Sequence, residues 1–161
     1  MRASIPKRGS VRGKATALLA VLLSSVLVWA TQPPSADLKA KADAAQGSER
    51  IGPSLEYAHQ ELEYANTLYT NGDVEKGEAA VNESLTYAKR AADASASANK
   101  KLKQTEIDLR KLEHRMRDIG HSLNVDDRPP VEKAVQELEQ IRANLLAKMF
   151  GEKAEPKEKS Q

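Results

Sequence analysis

Apolar and small residues recur from Leu55 onward at alternating spacings of three and four. Leu55, Ala58, Leu62, Ala65 and Tyr69 fall on one face of a helix. That stripe stops at "TNGD", where Gly72 can take the left-handed conformation that closes a helix and Asp73 can cap the amides of the next. A second stripe runs from Val74 and Gly77 through Val81, Ala88, Ala91 and Leu102 to Leu109, Met116 and Leu123, with no charged residue at any step. One register kept this long predicts a single helix over about 74–123, roughly 75 Å at 1.5 Å per residue. After "NVDDRPP", whose prolines break one helix and suit the start of another, Val131, Val135, Leu138, Ile141, Leu145 and Met149 form a third stripe.

Facing residues of an antiparallel hairpin have numbers that add to a constant. Around "NGD" the constant is 143, which sets Leu62 opposite Val81 and Tyr57 beside Tyr87; around "DDRPP" it is 254, which sets Leu109 opposite Leu145. On this arithmetic neither short helix reaches "DASASANKK", where the stripe becomes small and polar. The expectation is an all-α, elongated chain with coiled-coil-like packing, a long central helix and a shorter antiparallel helix folded back at each end. By residue it reads as a signal peptide or N-terminal anchor (1–30), a flexible spacer (31–52), an N-terminal helical hairpin (53–92), an uncovered helix segment (93–101), a C-terminal helical hairpin (102–150) and a disordered tail (151–161). Such thin cores and an exposed small-residue seam predict a homo-oligomer.

The leader changes where this rod would work. "MRASIPKRGSVRGK" holds five basic residues and no acid, and Ala15 to Thr31 carries no charge, as in a basic n-region followed by an apolar h-region. Val28 and Ala30 suit signal-peptidase cleavage after Ala30. The competing reading is an inner-membrane anchor, since these 17 uncharged residues lie at the short end of what a bilayer needs. Either way the helical part is expected outside the cytoplasm, periplasmic or secreted, and the membrane is a partner only through an uncleaved leader.

Charge and composition narrow the chemistry. All 23 acids follow the leader, so the remainder sets 20 basic residues against 23 acidic ones, a formal −3, and nucleic acid is not an expected partner. The absence of cysteine removes lipidation, disulfides, thiol catalysis and thiolate metal sites. There is no nucleophile elbow, no Gly-rich phosphate loop and no His-Glu-x-x-His, so neither an enzyme nor a cofactor is expected.

Three weaker signals remain. His114, Asp118 and His121 share one helix face at spacings of four and three and are weak candidate metal ligands for Zn, Cu or Ni; they lie opposite the apolar stripe, and a solvated charged face is the better reading. Tyr57, Tyr64 and Tyr87 flank the first hairpin and are the partner-binding candidates, their rings expected over the small-residue core with hydroxyls in water. Finally, Leu68, Gly72, Asp73, Gly77, Val81, Ser84 and Leu85 in "LYTNGDVEKGEAAVNESL" resemble the turn of a tetratricopeptide hairpin. Glu61 stands where that repeat has tryptophan and Lys89 where it has proline, and no second copy follows. More loosely, the chain resembles uncharacterised exported bacterial helical-hairpin proteins with the same Gly-Asp turn, which implies a fold and no particular activity. The function expected is an exported non-enzymatic structural or adaptor protein of the bacterial envelope with protein partners. The alternative is a periplasmic metal-responsive or chaperone-like helical-hairpin binding protein.

Overall fold

The computed structural model of the chain describes residues 33–151. The readings of residues 1–30 as a leader and of 152–161 as a tail lie outside these residues. Five α-helices follow one another: α1 (Ala36–Ala44), α2 (Ile51–Thr70), α3 (Val74–Ala98), α4 (Leu102–Ser122) and α5 (Arg128–Phe150). The chain is all-α, with no strand among the described residues.

The first hairpin has the register expected of it. Gly72, at φ +82°, closes α2: its N–H donates to the Tyr69 carbonyl and the Asp73 N–H to that of Leu68. This is the paired closure that a left-handed residue permits. Asp73 does not cap α3 with its side chain, as the sequence had implied; its carboxylate lies 3.5 Å from Lys76 instead. The two helices approach closely because small residues line the seam. Ala58, Ala65, Ala88 and Ala91 are fully buried, and the Ser84 hydroxyl donates to the Ala58 carbonyl at 2.7 Å.

The long helix breaks. Asn99 (φ 51°) and Lys101 (φ 56°) are both left-handed, so α3 ends at Ala98 and α4 begins at Leu102. The Asn99 N–H donates to Ala96 and the Lys100 N–H to Ser95, the same closure as at Gly72, while the Ser95 hydroxyl donates back to the Lys100 carbonyl at 2.6 Å. Asparagine tolerates the left-handed region because its short polar side chain adds little steric conflict there. The heptad register survives the break, since it counts residues and is blind to a reversal of direction.

The elongated rod is therefore replaced by two hairpins packed side by side, with α3 against α5 and α2 against α4. The segment 93–101, expected to be uncovered, contributes a fully buried Ser95, and α5 lies along the preceding turns, where Ala92 and Ala96 share a narrow cleft with Ile141 and Leu145. One side of the segment is thus covered, while Asp93, Ser97, Asn99, Lys100 and Lys101 remain exposed. In the second hairpin α4 packs on α5: Gly120 faces Val131, which the arithmetic had set opposite Leu123, and Leu109, Met116, Leu138 and Leu145 are buried.

The spacer reading of 31–52 is also corrected. Ser35 caps α1 by accepting from the Leu38 N–H at 3.2 Å, and Leu38 and Ala42, four apart on one face, are buried against the first hairpin. A 3-10 turn over Gly47–Arg50 leads on into α2.

Candidate functional site

Where α1 crosses the first hairpin, polar and aromatic groups converge. The rings of Tyr57 (α2) and Tyr87 (α3) stand 4.4 Å apart between centroids, tilted by 59°, at the positions that the hairpin arithmetic pairs. Both are buried. Their hydroxyls are not in water, as expected from sequence, but hydrogen-bonded. Tyr57 donates to Glu61 at 2.5 Å, and Tyr87 donates at 2.6 Å to Asp43 of α1, which Arg90 also contacts at 2.6 Å. Tyr64, the third aromatic candidate, is only partly buried and packs on the edge of the core.

Lys39 completes this cluster. Its ammonium pairs with Glu83 of α3 and sits 5.7 Å from the Tyr57 ring centre and 5.9 Å from that of Tyr87. A cation within about 6 Å of an aromatic face is drawn to the negative quadrupole of the ring. Two rings and a carboxylate thus line one side of an ammonium that still faces water on the other.

The protonation states follow from these neighbours. Burial, then the bond to Glu61, raises the Tyr57 pKa, so the phenol stays protonated and donating. Burial also raises Glu61 above the ordinary 4.5, against the bond from Tyr57, which favours the carboxylate. For Asp43 the bond from Tyr87 acts first and Arg90 adds to it, holding the carboxyl below its usual value.

A second cluster braces the other hairpin. Arg142 of α5 bonds to Glu113 and, at 2.7 Å, to Glu106, two carboxylates seven residues apart on α4. Arg110 and Arg117 bind the same pair from their own helix, each four residues on. Glu106 and Glu113 are only 3% and 4% exposed. Burial opposes their ionisation, but the arginines outweigh it, and both pKa values fall below the ordinary one.

The metal candidates stand apart from both clusters. His114, Asp118 and His121 are all exposed on α4, and among the described residues no group of three or more His, Asp or Glu side chains is placed to hold a metal ion. His121 alone borders an open groove of about 320 Å³ between α4 and α5, together with Arg117, Glu132, Gln136 and Glu139.

Sequence reasoning missed Lys39, Asp43, Glu61, Glu83 and Arg90. A signal did exist for α1: Ser35 as a cap, then Leu38 and Ala42 four apart, with Lys39 and Asp43 repeating the same interval beside them. Two apolar residues make a stripe too short to stand out.

No protein-family model, curated protein or solved structure matches the chain. Among the described residues no helix is long and apolar enough to cross a membrane.

Proposed function

We propose that the chain is an exported, non-enzymatic helical adaptor of the bacterial envelope that works through protein–protein contacts. The observation that carries this reading is the state of Glu106 and Glu113. They are the most deeply buried carboxylates of the second hairpin, and arginines hold both ionised in a brace between helices. A general acid or base at neutral pH needs the opposite, a carboxyl raised towards 7 and open to substrate. Charge buried in this way fixes the register of a scaffold.

Large apolar side chains at the two ends of α5 give a partner something to hold. Val125, just before the helix, is 73% exposed, and Phe150, its last residue, 77%. Export rests on the basic and apolar leader, which delivers the helical part to the periplasm or beyond after cleavage near Ala30, or else holds it at the outer face of the inner membrane.

Affinity capture of the exported chain from envelope extract tests the proposal. A discrete partner retained at fixed stoichiometry, and lost with Phe150→Ser or Val125→Ser, is the expected result. Capture of nothing beyond background would overturn it. A thermal shift with zinc, copper or nickel that His114→Ala abolishes would instead favour the metal-responsive alternative.

A further inference from the structure

We propose that Tyr57, Tyr87 and Glu83 form a recognition site for a lysine ammonium, that Lys39 fills it from within the chain, and that α1 is a releasable strap whose place a lysine-bearing helical segment of a protein partner takes. The proposal rests on the adaptor reading only in taking the ligand to be a protein segment.

The chemistry of the seat is specific. A primary ammonium has three donors and a compact charge. Here it meets one carboxylate in direct contact and two ring faces just under 6 Å away, on a floor that is otherwise apolar. The rings favour a cation over a neutral chain of the same length, and Glu83 rejects an anion. Glu61, buried beneath Tyr57, adds a further carboxyl to the same side. A ligand that fits must carry an apolar residue, a lysine directly after it and a small apolar residue three positions further on, as α1 does with Leu38, Lys39 and Ala42.

The strap is built to leave. A nine-residue helix has no stability of its own in water. Only Leu38 and Ala42 of α1 are buried, and its remaining ties are the Lys39 pair, the Asp43 bonds from Tyr87 and Arg90, the bond that the Arg50 side chain donates to the Ala45 carbonyl at 2.7 Å, and the backbone at its ends. Both ion pairs are half-exposed and so weakened by salt. Beyond Ala45 and Gln46, both extended, Gly47 takes φ +52° with open space where a side chain would be, a joint at which α1 can swing away while α2 and α3 stay packed.

The test uses the whole exported chain. Hydrogen exchange should show the amides of α1 exchanging at least tenfold faster than the interior amides of α2 and α3, and faster still with Lys39→Ala and Asp43→Ala together. That loosened chain is then titrated with a labelled peptide of residues 33–46, "PPSADLKAKADAAQ", and with the same peptide carrying norleucine in place of Lys39. The lysine peptide should bind saturably, the norleucine peptide about tenfold more weakly, the scale of one charge-assisted contact. Glu83→Gln, on the half-buried rim and tolerable to the fold, should narrow the difference to the part that the rings and Glu61 supply. Equal binding of the two peptides, a lysine preference unchanged by Glu83→Gln, or α1 amides that exchange only with global unfolding would each overturn the proposal. None of these readouts depends on whether an envelope partner is captured.

Discussion

Arg115 on α4 grips Glu63 on α2 through two parallel N–H···O bonds of 2.7 Å, across 52 positions of sequence. It is a direct tie between the two hairpins, and it exists only because the chain turns back at Asn99. The bond from Arg115 comes first among the causes that hold Glu63 below its ordinary pKa.

A double-mutant cycle on Arg115→Ala and Glu63→Ala, measured by urea denaturation, should give a coupling of about 0.5–1 kcal/mol, since the pair is bidentate but exposed. The coupling should fall in 1 M salt. Additivity of the two mutations would mean that this pair adds nothing to the packing of the hairpins.

Truncating Arg142 to alanine leaves Glu106 and Glu113 with only the part-exposed Arg110 and Arg117 as partners, and losing its charge-assisted bonds should cost about 1.5–3 kcal/mol. The pH dependence has a definite sign. Glu106 and Glu113 have folded pKa values below the ordinary 4.5, so their contribution is full above that value and is lost as pH falls through the lower folded values. Denaturation of the wild type at pH 7 and again below pH 4 should therefore show a drop in stability. Arg142→Ala, which lacks the arginine bond, should drop less.

Glu61 behaves in the opposite sense. Burial raises its pKa, so the folded state prefers the protonated form, and ionisation at neutral pH weakens the fold. Glu61→Gln keeps an acceptor for the Tyr57 hydroxyl and removes the charge. Its melting temperature should exceed the wild type's at pH 7, and the advantage should vanish as pH falls below 4.5 and the wild-type carboxyl is protonated in folded and unfolded chains alike.

Lys101 has no feature that eases a left-handed backbone, a conformation that disfavours L-residues by about 1–2 kcal/mol. Lys101→Gly should stabilise the chain by about 0.5–1 kcal/mol. In an unbroken helix the same change would destabilise by about 1 kcal/mol. The sign of one unfolding measurement thus separates the bundle from the rod.

Gly77 lies under the Tyr69 ring, and a Cβ there would come within 2.9 Å of it. Alanine normally favours a helix over glycine by about 1 kcal/mol, but forcing a buried ring aside costs about 1–3 kcal/mol. Gly77→Ala should be net destabilising by about 1 kcal/mol. In a Tyr69→Leu background, which removes the ring, it should become stabilising.

Spacing alone determined much of this protein. The three- and four-residue intervals located α2, both ends of the 74–123 region and α5, because a face buried against a neighbour has to recur with the helical turn. Gly72 set the turn of the first hairpin, and turn plus period fixed a register good enough to place Tyr57 beside Tyr87. The exposure of His114, Asp118 and His121 was also legible, as polar residues opposite an apolar stripe.

What only the tertiary structure decided is the reversal at Asn99–Lys101 and everything that depends on it. Heptad spacing is the same for one long helix and for two helices joined by a short turn in register, and a lysine in left-handed backbone leaves no compositional mark. The small residues of "DASASA" fit an empty seam as well as a tight one, since alanine and serine suit both water and close helix contact. The burial of Ser95 and the partial cover of Ala94, Ala96 and Ala98 became visible only in the folded chain. The ammonium site was hidden for a related reason. Its members, Lys39, Tyr57, Glu83 and Tyr87, come from three helices and lie up to 48 positions apart, and a lone lysine on a short amphipathic turn reads as surface until its partners are assembled.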